Sequence, residues 1–313
     1  MAGLPLITGA TGFAGSHLVE HLLDTAPAVA AWGNPNGSGT GAADRRIEWA
    51  AVDLLDRDAV SRALGTLRPS VIYHCAGSAH VGDSFSQPER ALRLNVIGTH
   101  HVLEAARAAS LDCRILVIGS GMIYRDSDSA LDEQSPIGPS SPYGVSKLAQ
   151  EMRALRETEL PVVIARPFNH AGPRQAPSYV TSSFAQQIAE IEAGRREPVL
   201  HVGNLESRRD IMDVRDTVRA YRLLAERGTP GRAYNVCSGT AYRVRDLLDQ
   251  LVTLARVSIS IEIDPSRLRP SDNPVILGDC TRLREETGWQ PEIPMSRTLA
   301  DLLDYWRQRT ARQ

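Results

Sequence analysis

The chain has 313 residues, 42% of them hydrophobic and 23% charged, with a formal net charge of −2. That is the composition of a globular protein with room for one large domain, or a domain with a substantial appendage. It excludes the basic field that nucleic acid or an acidic membrane surface would require, and no apolar run approaches the roughly 20 residues that span a bilayer.

In chain order, the first apolar run (4–8) starts at once, with no positive leader before it, so the expected compartment is the cytoplasm. "ITGATGFAGSHL" (7–18) follows, with Gly9, Gly12 and Gly15 placed after a predicted strand and at the opening of a predicted helix (15–24). Glycines there permit a tight turn and close approach of the backbone to a pyrophosphate, which the helix N-terminus then attracts. The second strand (28–32) carries no acid at its end, where a site for NAD usually places one on the ribose 2′-OH. Trp32, Gly33 and Asn34 stand there instead, ahead of a Gly- and Asn-rich stretch (33–44) expected to be a flexible surface loop. Arg45 and Arg46 follow and are in position for a 2′-phosphate or for solvent, so the expectation leans to NADP(H), with NAD(H) open.

Further strands are predicted at 47–52, 71–74, 114–118 and 162–165, and helices at 57–66, 88–109 and 142–158. Alternating strands and helices, with strands too apolar to have a wet face, indicate an α/β doubly wound parallel sheet. The second half is less regular, with Pro- and Gly-bearing loops at 167–178, 228–231 and 264–278. "RAYNVCSG" (232–239) has the pattern of a buried strand that could return to the main sheet. Two interleaved lobes are expected: 1–167 as a dinucleotide-binding domain with return segments near 210–237, and 168–313 mainly as a smaller α/β substrate lobe. Cys75, Cys113, Cys237 and Cys280 lie far apart without paired metal spacing, so reduced thiols and no metal site are expected.

One residue stands apart. Lysine and arginine together number 35, and Lys147 in "SPYGVSK" (141–147) is the sole lysine. Ser141 suits an N-cap and Pro142 the first helical position, so Tyr143 and Lys147, four apart, share a helix face. An ammonium beside a phenol is expected to lower the phenol pKa, and arginine's wide planar fork is a poor substitute for that compact charge. The alternative is a solvated helix face.

With the glycine turn and the Tyr-x-x-x-Lys pair in place, the chain resembles the extended short-chain dehydrogenase/reductases, the sugar-nucleotide epimerases, dehydratases and reductases. The likeness runs through "VDLLD" (52–56), "HCAGSAHV" (74–81), "NVIGT" (95–99), "RPFNHAGPRQ" (166–175), "YNVCSG" (234–239) and "TGWQP" (287–291). Within that family it is most similar to reductases of GDP-linked 6-deoxy-4-ketohexoses and to GDP-mannose 4,6-dehydratases, through "YVTSSFAQQIAEIE" (179–192), "VGNLESRRDIMDVRD" (202–216) and "LRPSDNP" (268–274). The resemblance implies a Rossmann-type fold and a homodimer through the 88–109 and 142–158 segments. It implies a cofactor site of Gly9, Thr11, Gly12, Phe13, Gly15, Asp53, Leu54, Ala76, Gly77, Asn95, Tyr143, Lys147 and Pro167. Ser120, Tyr143 and Lys147 would be the catalytic set. Ser120, Asn169, Thr181, Arg209 and Arg269 would meet a nucleotide-sugar substrate, GDP-linked by preference.

The segment after Ser120 narrows the chemistry. Loss of water from a sugar needs a carboxylate acid/base, which the dehydratases carry two residues after their Ser/Thr. Here Gly121 and Met122 follow, and the next acid is Asp126. Met122, Ile123 and Arg125 also depart from the reductase pattern, where acidic residues and a glycine are usual. The expectation is an NAD(P)H-dependent reductase of a 4-keto-6-deoxyhexose nucleotide. A 4-epimerase that retains NAD, a reductase of a dTDP- or UDP-linked sugar, and a dinucleotide-sensing scaffold are the alternatives.

Overall fold

The computed structural model describes residues 3–35, 44–267 and 273–312. The first half runs β1 (Pro5–Thr8), α1 (Phe13–Leu23), β2 (Val29–Gly33), β3 (Ile47–Ala51), α2 (Arg57–Leu67), β4 (Val71–His74), α3 (Val81–Ser86), α4 (Pro88–Leu92), a π-helical turn (Arg93–Ile97), α5 (Gly98–Ala108), β5 (Arg114–Ile118), α6 (Pro142–Leu155) and β6 (Val162–Pro167). The second half runs β7 (Asn169–Ala171), α7 (Val180–Glu192), β8 (Val199–Val202), β9 (Arg208–Asp213), α8 (Val214–Arg227), β10 (Ala233–Val236), β11 (Ala241–Arg243), α9 (Val244–Thr253), β12 (Ser260–Ile263), β13 (Val275–Ile276), α10 (Thr281–Thr287) and α11 (Met295–Ala311).

Seven strands form one sheet in the order β10-β6-β5-β4-β1-β2-β3, every pair parallel. Successive residues of a strand face opposite sides, so each strand feeds two cores. Ile7, Leu116 and Val163 point to one face, where α1 and α8 bring Leu18, Leu22, Tyr221 and Leu224. Their neighbours Leu6, Ile115 and Ile164 point to the other, against Leu64 of α2, Leu103 of α5 and Ala154 of α6. A sheet covered on both faces needs the continuous apolar runs that the sequence shows. A third core gathers Phe184, Ile188, Leu247, Leu299 and Trp306 from α7, α9 and α11. It lies with a small sheet in which β9 pairs β7, β11 and β13.

The interleaving has a simple cause. β10 pairs β6 at the edge of the large sheet, with Tyr234 opposite Ala165, and α8 packs on α1. A segment from the second half thus completes the first layer.

The predicted helix at 88–109 does not form as one element. It divides into α4, the π turn and α5, and the π turn carries the buried Asn95. One extra residue per turn is tolerated where a side chain must be aimed away from the regular helical track. Among the described residues, no helix is long and apolar enough to cross a membrane, and no group of three or more His, Cys, Asp or Glu is placed to hold a metal.

Candidate active site

From β1 the chain winds outward to β3, returns to β4, and then proceeds to the opposite edge. The crevice at this reversal, beyond the C-terminal ends of the strands, is where open α/β sheets bind ligands. Gly9 follows β1, Ala76 and Gly77 follow β4, Ser120 follows β5, Asp53 follows β3 and Pro167 ends β6. Residues spread over more than a hundred positions therefore share one rim.

Gly9 has φ +68°, and a Cβ there would lie 2.7 Å from the backbone of Ala76. Glycine is required on both counts. Gly12 N–H donates to Gly9 O (2.9 Å), and a side chain on Gly15 would run into that same carbonyl. Gly12 caps α1 without a side-chain bond, and the first turn of α1 holds no acid, which leaves its positive end open to an anion. Thr11 touches the end of β2, where a Cβ on Gly33 would stand 3.1 Å from its methyl group. Phe13 stacks on His170, with ring centroids 5.5 Å apart. Asp53 accepts from Leu55 N–H at 2.9 Å, and Leu54 is buried against Gly98.

Ser120 caps a short 3₁₀ turn, its Oγ accepting from Met122 N–H at 3.1 Å. Gly121 must be small, because the Phe168 ring would lie 2.9 Å from its Cβ. Ser141 and Pro142 start α6 as the sequence predicts, with Ser141 Oγ accepting from Gly144 N–H. Tyr143 N–H donates to Ser84 Oγ (3.0 Å), which ties α6 to α3. The Tyr143 hydroxyl lies near enough to Ser120 for that side chain to favour its ionised form. Asn95 fills the space under Gly77. Its Oδ1 accepts from Ser78 N–H (2.8 Å) and its Nδ2 donates to Ser146 Oγ (2.8 Å).

Here the expected lowering of the phenol pKa is corrected. Burial pushes Tyr143 up to about 12, and the nearby Ser120 only partly opposes it. The Lys147 ammonium donates to Ile118 O (2.9 Å) and Gln150 Oε1 (3.0 Å). Burial brings Lys147 down to about 8.

The structure distributes the other candidates unevenly. Asn169 is exposed on β7 and donates to Asp210 O at 3.3 Å. Thr181 is buried, with its hydroxyl on Gln175 Oε1 at 3.3 Å. Arg209 donates to Asn273 O at 2.7 Å, which fastens β9 to the chain before β13. Its neighbour Asp210 is fully buried and accepts from Ser238 N–H and Oγ–H, Gly239 N–H and Gly278 N–H. Arg269 and part of the 33–44 stretch lie outside the described residues. Arg46 holds Asp44 through a fork of bonds at 2.7–3.2 Å, while Arg45 is exposed. Asp126 is exposed, beyond the end of the 3₁₀ turn.

Several side chains had no distinct signal in the sequence. Tyr179 OH donates to Ala79 O (3.2 Å), and its ring meets His80 edge-on. The buried pair Arg166–Glu151 (2.5 Å) fixes α6 to β6, and the Arg166 guanidinium also donates to Tyr124 OH. Cys237 and Cys280, 43 positions apart, meet thiol to thiol. Gln150, three residues after Lys147, could have been found from helical spacing alone.

A doubly wound parallel sheet with a glycine turn after its first strand, and Ser120, Tyr143 and Lys147 gathered at the reversal, defines an extended short-chain dehydrogenase/reductase. The profile of the GDP-mannose 4,6 dehydratase family matches residues 6–302, and the chain belongs to that family. It is similar to the GDP-6-deoxy-D-mannose reductase of Pseudomonas aeruginosa, at 35% identity over 97% of each chain. The UDP-glucose 4-epimerase of Mycolicibacterium smegmatis shares 28% identity over 97% of this chain and 99% of its own. Among solved structures, RMD from Pseudomonas aeruginosa complexed with NADPH superposes with a TM-score of 0.83, at 34% identity, covering 98% of this chain and 99% of its own. The Thermus thermophilus UDP-glucose 4-epimerase complexed with NAD gives 0.85 at 27% identity, covering 97% and 98%.

Proposed function

We propose that this protein is an NAD(P)H-dependent reductase of a GDP-linked 4-keto-6-deoxyhexose, with GDP-4-keto-6-deoxy-D-mannose as substrate and GDP-D-rhamnose, or its 4-epimer, as product. The observation that carries this reading is Ser120 set within influence of the Tyr143 hydroxyl, in a segment where Met122 stands in place of a carboxylate. Redox chemistry at a carbonyl has its donors there, and elimination of water lacks its acid/base. The reductase relative with 35% identity supports the same substrate class.

The glycine turn fits a dinucleotide, since the side chains excluded at Gly9 and Gly15 leave the backbone open to a pyrophosphate. Asp53, Leu54, Ala76, Gly77, Asn95, Lys147 and Pro167 line the rest of that path. A reduced nicotinamide, when bound, supplies the hydride and its electron pair to the carbonyl carbon. Tyr143 gives its phenolic proton to the carbonyl oxygen as the C–H bond forms, and Ser120 Oγ–H steadies the developing negative charge. Lys147 would hold the nicotinamide ribose, and its charge would favour the phenolate that proton transfer leaves behind. The absence of an acid at the end of β2 supports NADPH over NADH.

Residues 1–167, with the return segments that include α8 and β10, would carry the cofactor, and 168–313 the sugar nucleotide. Arg209 and Arg269 would grip the diphosphate, as planar forks suited to its oxygens, with Asn169 and Thr181 nearer the sugar. A second copy of the chain would cover an apolar strip of Phe85, Leu92, Ile97, Val145, Met152 and Leu155, all more than a third exposed on α3, α4, the π turn and α6. We place the enzyme in the cytoplasm.

The test is to supply GDP-4-keto-6-deoxymannose and follow the near-ultraviolet absorbance of NADPH, then of NADH. Consumption matched to substrate, with a GDP-6-deoxyhexose formed, is the expected outcome. Silence with the GDP sugar but turnover with a dTDP- or UDP-linked one would correct the base. Tightly held NAD⁺ in the purified protein, with interconversion of 4-epimers, would replace the reading with an epimerase.

A further inference from the structure

Behind Lys147 lies a run of buried polar side chains with no part in the chemistry just described. Thr8, His74, Thr99 and Gln150 are each at most 1% exposed. They link Thr8 Oγ1 to His74 Nδ1 (2.9 Å), His74 Nε2 to Thr99 Oγ1 (2.9 Å), Gln150 Nε2 to Thr99 Oγ1 (2.8 Å) and Lys147 Nζ to Gln150 Oε1 (3.0 Å). The run begins one residue before Gly9 and ends at the lysine, crossing β1, β4, α5 and α6.

Counting protons fixes the direction of every bond. A threonine hydroxyl has one proton to give and two lone pairs. Thr99 gives its proton to Asn95 O at 2.6 Å, so it must accept from both Gln150 Nε2 and His74 Nε2. His74 is therefore the neutral Nε2–H tautomer, which agrees with burial pushing its pKa down to about 3. Its bare Nδ1 then accepts from Thr8 Oγ1, which itself accepts from Ala76 N–H (3.3 Å). Gln150 has one consistent orientation, amide nitrogen to Thr99 and oxygen to Lys147. The reverse would set an NH₂ group against an ammonium.

We infer that Gln150 is a positioning residue whose amide, locked in one orientation by Thr99 and His74, holds the Lys147 ammonium in place and stabilises its charge. Buried polar networks in which every donor and acceptor is satisfied are the ones that specify a unique geometry. The other titratable groups facing Lys147 are His74 at the end of β4, Cys75 just after it, and Tyr143 from its own helix. Burial holds the Cys75 thiol and the Tyr143 phenol each up at about 12, so both are neutral beside it. Gln150 and Ile118 O, without formal charge, then carry the stabilisation of the ammonium. The inference rests on the reading of Lys147 as an active-site residue, but its test does not use substrate turnover.

Because Lys147 is the sole lysine, protein labelled with [ε-¹³C]lysine gives a single resonance, whose shift titrates with that ammonium. The wild-type signal is expected to titrate well below free lysine. Thr99→Val, which does not touch Lys147, is expected to move the midpoint down by about one pH unit through loss of a fixed acceptor. Thr99→Ser should restore it, and Gln150→Glu should move it up. A Thr99→Val protein that titrates with the wild type would overturn the inference. If that variant does not fold, Gln150→Leu takes its place with the same downward shift expected, and an unmoved midpoint again overturns it. A protein that shows these shifts yet never consumes NADPH would overturn the reductase reading alone.

Discussion

At the scale of single residues, Tyr143 and Lys147 have opposite proton affinities relative to their free forms, and both shifts come from burial. Tyr143 near 12 stays protonated over the working range, as a proton donor for reduction must. Its replacement by Phe is expected to lower turnover by about 10²–10⁴-fold with NADPH affinity little changed, measured by stopped-flow reduction and fluorescence titration. Lys147 is depressed to about 8, so it is charged below that pH and loses its proton as the pH rises through it. Catalytic efficiency for reduction should accordingly fall above about pH 8, tenfold per pH unit if only the charged lysine supports turnover. A profile flat to pH 10 would remove the lysine's charge from the mechanism.

At the scale of elements, two contacts hold the site's frame. The glycine turn is pressed against the turn after β4, so Gly9→Ala must relieve both a positive φ and a 2.7 Å approach to Ala76. The change is expected to cost about 1–3 kcal/mol of stability and to weaken NADPH binding, read by urea unfolding and by titration. Arg166 and Glu151 join β6 to α6, Glu151 one residue past Gln150 and Arg166 one before Pro167 of the rim. Arg166→Met would leave a buried carboxylate alone, a loss of about 3–5 kcal/mol in the same unfolding measurement. The glycine turn was legible in the sequence because spacing and neighbours in the chain define it. The Arg166–Glu151 clamp was not, since 15 positions and the loop from α6 to β6 separate two residues that carry no local motif. The π turn was hidden for a related reason: Pro88 to Ala108 has good helical periodicity, and only the need to seat Asn95 between Ser78 and Ser146 breaks it.

For the whole molecule, the exposed strip on α3, α4, the π turn and α6 bears on assembly. Met152 and Phe85, 62% and 63% exposed, are its most exposed members. Met152→Glu would place a charge in the middle of an apolar interface, so a dimer in the wild type should become a monomer by light-scattering chromatography. A wild-type monomer at micromolar concentration would set the strip aside as an interface between copies.

The sequence alone determined the strands of the large sheet, their parallel sense, the glycine turn and the pairing of Tyr143 with Lys147 on one helix. Each depends on periodicity or on a spacing within a few residues, which the backbone reads locally. The return of β10 to the sheet was also legible, from an apolar run with no other place to be buried. Tertiary structure alone decided where charges and hydrogen bonds end. Lys147 points to Ile118 and Gln150, Asp210 collects the amides of Ser238, Gly239 and Gly278, and Cys237 meets Cys280. Such partners are set by where distant strands terminate, and burial among them, not proximity along a helix, fixes the proton affinities on which the chemistry depends.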